Sequence, residues 1–568
     1  MFDSLSDVQR EIVFNSRGRF VVRACPGSGK TYTVAARLAR LLGNWEQQSG
    51  GIATISFTNA AWIEIQKKLE EDFLYNCKVK YPHFLGTIDS FINNYIFLPF
   101  GHKVMGCDQR PELVGGNISE WKGRNYTQDQ FTNVKFLKNG DLEIINPRMV
   151  GSNLTISNLK RMKFAINKGG FATQDDLEYY SLKLLKKYPE LSKSLVKRFP
   201  FVMIDEAQDT NELQMEIINN LVDHGLSELI LVGDPDQAIF EWNEAKPKLF
   251  LQKCHEWVEI SLNENRRSSQ KICDFYYKIS SLEETSEAVN EDVREFEVSP
   301  IIMEYSEQNI QNTIENFLQL CQQHNINMNN SNIKILCRSH NMVRKISGID
   351  TNTKLFPWQP DKLFCSAIAK GRYLFDKGEI SKGIKSLELG ILKFIGNLNM
   401  LSVIDKNKIL TEKDFDQIEW RIYLYELMEI LPKTDIILSE WIRLANTSLN
   451  TYDSDLKLNL SIKRNSRQCA YSELSFDDIF INEREITIYD NIKVGTVHSV
   501  KGESIDAVLI FWGNRAANNM TYSRILDTDI SECEEKRIVY VAITRAKRIL
   551  VIAVPEDQSE HWQNKFLN

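Results

Sequence analysis

The apolar positions of this chain fall into two kinds of run. Short continuous runs, such as Phe20-Val21-Val22, Phe201-Val202-Met203-Ile204 and Leu229-Ile230-Leu231-Val232, have the length and character of buried strands. Ile333-Lys334-Ile335-Leu336 and Ala507-Val508-Leu509-Ile510 read in the same way. Other stretches carry apolar residues at helical spacing: TYTVAARLARLL directly after the first run, and Lys382-Gly383-Ile384-Lys385-Ser386-Leu387 later in the chain. Strands alternating with helices predict an α/β protein with parallel sheets.

Polar clusters follow three of the strand-like runs. The first leads into Ala24-Cys25-Pro26-Gly27-Ser28-Gly29-Lys30-Thr31, which fits G/A-x-x-x-x-G-K-T between a strand and a helix. Such a loop turns backbone amides onto phosphates. The helix N-terminus adds a favourable dipole, Lys30 neutralises the outer phosphates, and Thr31 can hold Mg²⁺. The alternative is a chance glycine-rich loop. The second run ends in Asp205-Glu206-Ala207-Gln208-Asp209. In a parallel sheet Asp205 can bind Mg²⁺ and Glu206 can orient an attacking water; the alternative is a strand ending in a solvated acidic turn. The third delivers Gly233-Asp234-Pro235-Asp236-Gln237. Together the three clusters point to a nucleotide.

The chain has 568 residues, 43% of them hydrophobic and 26% charged. That is room for about three to five compact units. The ten cysteines are scattered with no C-x-x-C pair, so zinc is not indicated and reduced thiols in a cytoplasmic protein are expected. MFDSLSDVQR is no signal peptide, and no apolar stretch approaches the roughly 18 residues of a membrane span. A net charge of -7 argues against a histone-like surface. It does not exclude DNA, because single strands are held through local basic grooves and base stacking.

ACPGSGKT, SFTNAA, GTIDSF, IDEAQDTNELQ, GDPDQAIFEW, ENRRSS, TVHSVKG and EEKRIVYVAITRAK occur in the order and with the character of the Rep/UvrD/PcrA-type superfamily 1 helicases. The resemblance runs from Gln9 to about Val554, apart from two weakly matching regions. It implies two RecA-like P-loop motor domains with parallel sheets, each carrying a mostly helical insert. The first motor domain would comprise 1–91 and 170–264, with an insert at 92–169. The second would comprise 265–345 and 490–568, with a reduced insert at 346–489.

The resemblance also implies roles. Gln9 would read the adenine edge of ATP, Gln237 would link the γ-phosphate to the DNA face with Gln208 beside it, and Arg267 and Arg545 would be arginine fingers. Two departures stand out. The family's Arg after the phosphate loop and Tyr before the first finger are Tyr32 and Arg266 here. Either side chain can stack on a base, so the adenine sandwich is expected with its faces exchanged; the alternative is that Tyr32 packs on its helix. The family's K-G-L-E-F is Lys501-Gly502-Glu503-Ser504-Ile505, which leaves a ribose contact by Glu503 open.

On the DNA side, Thr58, Asn59, Thr87, Ser90, Thr496 and His498 match positions that touch the strand backbone in relatives. Small hydroxyls and amides grip phosphates without reading sequence. Trp242 matches an aromatic on which a base stacks, and a buried core tryptophan is the alternative; the family's following R-G-A is Asn243-Glu244-Ala245 here. Lys135, Lys138, Arg148, Lys160, Arg161 and Lys163 give the first insert a basic character that could flank DNA or simply be solvated.

No nuclease motif follows Arg545, so any cutting is expected to come from another protein. The compact size and the stretch from Gly86 to Phe91 leading into Leu98-Pro99-Phe100 resemble the helicase subunit of the Gabija anti-phage defence system. Such relatives work with a nuclease of the OLD type; the alternative is a free-standing repair translocase. Two function classes follow: a motor moving 3′-to-5′ on single-stranded DNA, and a nucleotide-switched sensor of single strands or DNA ends that activates a partner nuclease.

Overall fold

The computed structural model describes residues 2–46, 50–73, 78–113, 128–150, 155–239, 246–306, 308–329, 331–346, 357–359, 362–396, 403–453, 457–465, 471–480, 485–489, 492–516 and 520–566. Two six-stranded sheets organise it. The first contains β1 (Arg19–Ala24), β2 (Ile52–Ser56), β3 (Phe84–Thr87), β4 (Phe201–Ile204), β5 (Glu228–Gly233) and β6 (Val258–Leu262). Their order is β6-β1-β5-β4-β2-β3, with every pairing parallel. The second contains β7 (Ile301–Tyr305), β8 (Ile333–Cys337), β9 (Glu485–Tyr489), β10 (Ile492–Thr496), β11 (Ile505–Phe511) and β12 (Ala546–Pro555). Its order is β7-β12-β11-β8-β10-β9, parallel except for β9 against β10. The α/β expectation with parallel sheets is met.

Alternation along each strand explains why both sheets are buried on two faces. Phe20, Val22, Met203, Ile230 and Val232 point into one core of the first sheet. Their neighbours Val21, Val202, Ile204, Leu229 and Leu231 point into the other. Leu336, Val508 and Ile510 face one core of the second sheet, and Ile335, Ala507 and Leu509 face the opposite one. A third set of helices, α1 (Leu363–Asp376), α2 (Ile380–Ile395), α3 (Gln417–Ile430) and α4 (Leu438–Tyr452), packs around Trp358, Leu387, Trp420 and Trp441. The Lys382–Leu387 stretch lies within α2.

The basic residues of the first interruption are not a free basic face. Lys163 is fully buried and holds Asp176 at 3.0 Å, because its helix faces the core through Leu159, Met162 and Ile166. It therefore cannot flank DNA. Lys135 pairs with Glu143 at 3.1 Å, Lys138 with Glu216 at 2.8 Å and Lys160 with Asp141 at 3.4 Å. Arg161 donates to Asn158 at the surface. The side chain of Arg148 lies outside the described residues.

Candidate functional site

Parallel pairing brings the carboxyl ends of β1, β4 and β5 to one edge, and each carries one of the three polar clusters. After β1 the loop turns at Gly27 and Gly29, both left-handed (φ 71° and 81°), and Lys30 opens the helix Lys30–Gly43. Gly27 is needed for space as well as conformation. A Cβ there would come within 2.6 Å of Arg267 Cβ, from the segment after β6. Ala24, Cys25, Pro26 and Ser28 complete the loop. The Ser28 hydroxyl donates to Cys25 O at 2.8 Å, and burial pushes the Cys25 thiol up to about 12, leaving it inert. Gln9 is buried against the loop and donates to Ser28 O at 3.4 Å.

After β4, Asp205 is fully buried and accepts from the Thr31 hydroxyl at 3.2 Å. Glu206 adopts a left-handed backbone (φ 56°), a strained conformation for a non-glycine residue. Gln208 donates to the Glu206 carboxylate at 2.5 Å and accepts from Asp234 N at 3.1 Å, tying the acids to the loop after β5. Desolvation, reinforced by Glu206, pushes Asp205 up to about 7. Desolvation acts on Glu206 too, but Lys30 and Lys501 outweigh it and hold that carboxyl below its ordinary value. Two adjacent acids are thus driven apart in acidity.

Segments after β6 supply cations to the same place. Arg545, 1% exposed, donates to Gln237 Oε1 at 3.1 Å; Gln237 in turn donates to Asp234 at 2.6 Å. Arg267 donates to Thr544 O at 2.9 Å. Desolvation, then the charge of Arg267, pushes Arg545 down to about 9, and desolvation lowers Arg267 also. Among the described residues neither forms an ion pair with a carboxylate. Lys501 crosses to Asp209 at 2.7 Å. Sequence reasoning missed this pair: both residues stand in the quoted motifs, but nothing local signals that they meet.

A cavity of about 1030 Å³ is lined by Lys30, Thr31, Tyr32, Glu206 and Gln237 from segments after β1, β4 and β5 and by Arg266, Arg267, Lys501, Glu503 and Arg545 from segments after β6. Tyr32 borders it, with its ring tilted on Phe73 and its hydroxyl bonded to Ser4. Arg266 pairs with Glu264 at 3.2 Å, and Glu503 accepts from Lys334 at 2.8 Å.

The expected strand contacts are more dispersed. Thr58 and His498 border the same cavity. The Thr58 hydroxyl caps its helix through Ala61 N, and Asn59 accepts from the Trp62 indole. The hydroxyls of Thr87 and Ser90 bond each other. Thr496, buried, ends β10. Trp242 lies outside the described residues.

Two family profiles match in tandem: the UvrD/REP helicase N-terminal domain over residues 5–257 and the UvrD-like helicase C-terminal domain over residues 475–557. The chain belongs to the UvrD/REP helicases. Among curated helicases of this kind, it is 24% identical to a probable DNA helicase II homologue of Mycoplasma capricolum, across 100% of the chain and 87% of that protein. It is 25% identical to the ATP-dependent DNA helicase Rep of Buchnera aphidicola from Schizaphis graminum, across 99% of the chain and 95% of that protein. With Bacillus subtilis PcrA it shares 26% identity over 48% of the chain and 39% of PcrA. Among the described residues no helix is long and apolar enough to cross a membrane, and no disulfide joins the described cysteines.

Proposed function

We propose that this UvrD/REP helicase is an ATP-hydrolysing motor that moves 3′-to-5′ on single-stranded DNA. The observation that carries the reading is the bond from Arg545 to Gln237 across the cleft, in front of Lys30 and Glu206. Hydrolysis of a phosphoanhydride needs charge neutralised on the transferring group and a positioned water. Lys30 supplies one cation from the phosphate loop, and Arg267 and Arg545 supply planar guanidiniums from the opposite wall of the cavity. Glu206, kept ionised, orients the water. Thr31 and Asp205 would hold Mg²⁺: a hydroxyl and a buried carboxylate 3.2 Å apart suit a hard cation that keeps its remaining positions for phosphate and water. Mg²⁺ would draw charge from the β- and γ-phosphate oxygens.

Gln9 fits adenine selection, and Tyr32 with Arg266 fits the two faces of the base. For Glu503 a ribose contact would compete with Lys334, which already holds its carboxylate. Thr58, Asn59, Thr87, Ser90, Thr496 and His498 would grip the strand, with Trp242 as a stacking platform. A partner nuclease of the OLD type, in anti-phage defence or repair, is supported by motif resemblance alone.

The test is steady-state ATP hydrolysis by wild type and Glu206→Gln with no DNA, with a single-stranded oligonucleotide and with a blunt duplex. Stimulation by single strands, abolished in Glu206→Gln, supports the motor. Stimulation by duplex ends only would replace it with the end-sensor.

A further inference from the structure

The helix α5 (Glu534–Ile543) makes contacts outside the chemistry described above. At its N-terminal turn Glu535, 5% exposed, accepts from both Nε and Nη2 of Arg338 at 2.7 Å each. This is the bidentate fork that fixes orientation as well as distance. Arg338 directly follows β8, whose last residue Cys337 pairs with Thr496 of β10. Beyond Thr496 the chain reaches His498, whose imidazolium is disfavoured by burial and by the Arg338 charge.

One half-turn beyond Glu535, Arg537 is fully buried. It donates through Nε to Ala238 O at 2.7 Å, the residue after Gln237 in the first half of the chain. Past its C-terminal end, α5 delivers Arg545, which holds Gln237 itself. Every residue from Glu535 to Ile543 is buried, so the helix has no free face on which to bend or slip independently. At a rise of about 1.5 Å per residue, its ten residues span about 15 Å between the Arg338 end and the Arg545 end.

We propose that Glu535 is a positioning residue that clamps Arg338 and so joins the end of β10, with Thr496 and the following loop to His498, to the helix that leads into Arg545 as one rigid body. A displacement of that loop by a bound strand then moves the arginine at Gln237 instead of dissipating at the end of β8. The clamp holds because parting the pair would leave a buried carboxylate uncompensated. This coupling rests on the reading of the protein as a DNA-stimulated ATPase.

The experiment compares wild type, Glu535→Gln, Arg338→Gln and the double variant by ATP turnover with and without a saturating oligothymidine, with oligonucleotide Kd by anisotropy and thermal melting alongside. The expected result is a stimulation ratio lower by about fivefold or more in each single variant, and no further fall in the double variant. Kd should stay within about threefold, since Arg338 is engaged by Glu535. A smaller fall in the ratio, a proportionate loss of both rates with the ratio intact, or additive losses in the double variant would each overturn the clamp. If Glu535→Gln does not fold, Arg338→Gln, altered at the more exposed partner, decides on the ratio alone. Wild type unstimulated by the oligonucleotide would instead sink the motor reading, and the clamp with it.

Discussion

Phe131, Val134, Phe136, Leu142, Leu159 and Met162, from the stretch interrupting the first sheet, share a core with Ile55, Val202 and Ile204 of that sheet. Trp358, Leu387, Trp420, Trp441 and Leu449, from the stretch interrupting the second, form a core that includes no described strand of either sheet. The contrast shows that similar-looking interruptions can be energetically unlike. The first is welded to the element that carries Asp205 and Glu206, so its loss should be felt at the nucleotide cleft. The second has its own apolar centre and should open and close as a separate cooperative unit.

The sharpest test of the welded stretch is Lys163→Met. It leaves Asp176 buried without its cation, which should cost about 3–5 kcal/mol. ATP binding and far-ultraviolet signal should then be lost in one earlier denaturant transition. Separate transitions would break the comparison. Trp441→Ala probes the other stretch: it should cost about 3 kcal/mol. An early transition should appear by calorimetry while nucleotide affinity in dilute denaturant stays unchanged, and a concerted shift would show that the two units are coupled.

A smaller, pH-dependent effect comes from Glu178, buried beside Asp89, Asn211 and Gln214 in the first half. Desolvation, with the charge of Asp89, pushes its carboxyl from 4.5 to about 8. The folded state therefore favours the protonated form. Its stabilising contribution is complete below pH 4.5 and is lost as pH rises towards 8. Glu178→Gln should accordingly match wild type at low pH and exceed it in thermal unfolding by on the order of 2 kcal/mol near pH 6, and by more towards pH 8. A constant difference across that window would mean Glu178 is ionised throughout.

Much of the first sheet was legible in the residues, because a buried parallel strand is a short apolar run and its chemistry sits at the next polar residues. Phe201–Ile204 followed by Asp205 and Glu206 shows this directly: the run forms β4 and the acids emerge at its end. The resemblance to UvrD/REP helicases was equally readable, since the motifs are local and ordered. Lys163 went the other way. Its charge suggested an exposed face, and only the packing of Leu159, Met162 and Ile166 around it turns that face inward.

Local sequence thus determined the phosphate loop, the strand-end acids and the α/β class, because each depends on residues a few positions apart. The tertiary structure alone decided which cation meets which anion: Lys501 with Asp209, Arg338 with Glu535, Lys163 with Asp176, and Lys334 with Glu503. Long charged side chains look alike in a sequence and become distinct when burial removes water from one partner and geometry admits only one other. That selection is made by the assembled sheets and by helix α5, over separations that no local pattern records.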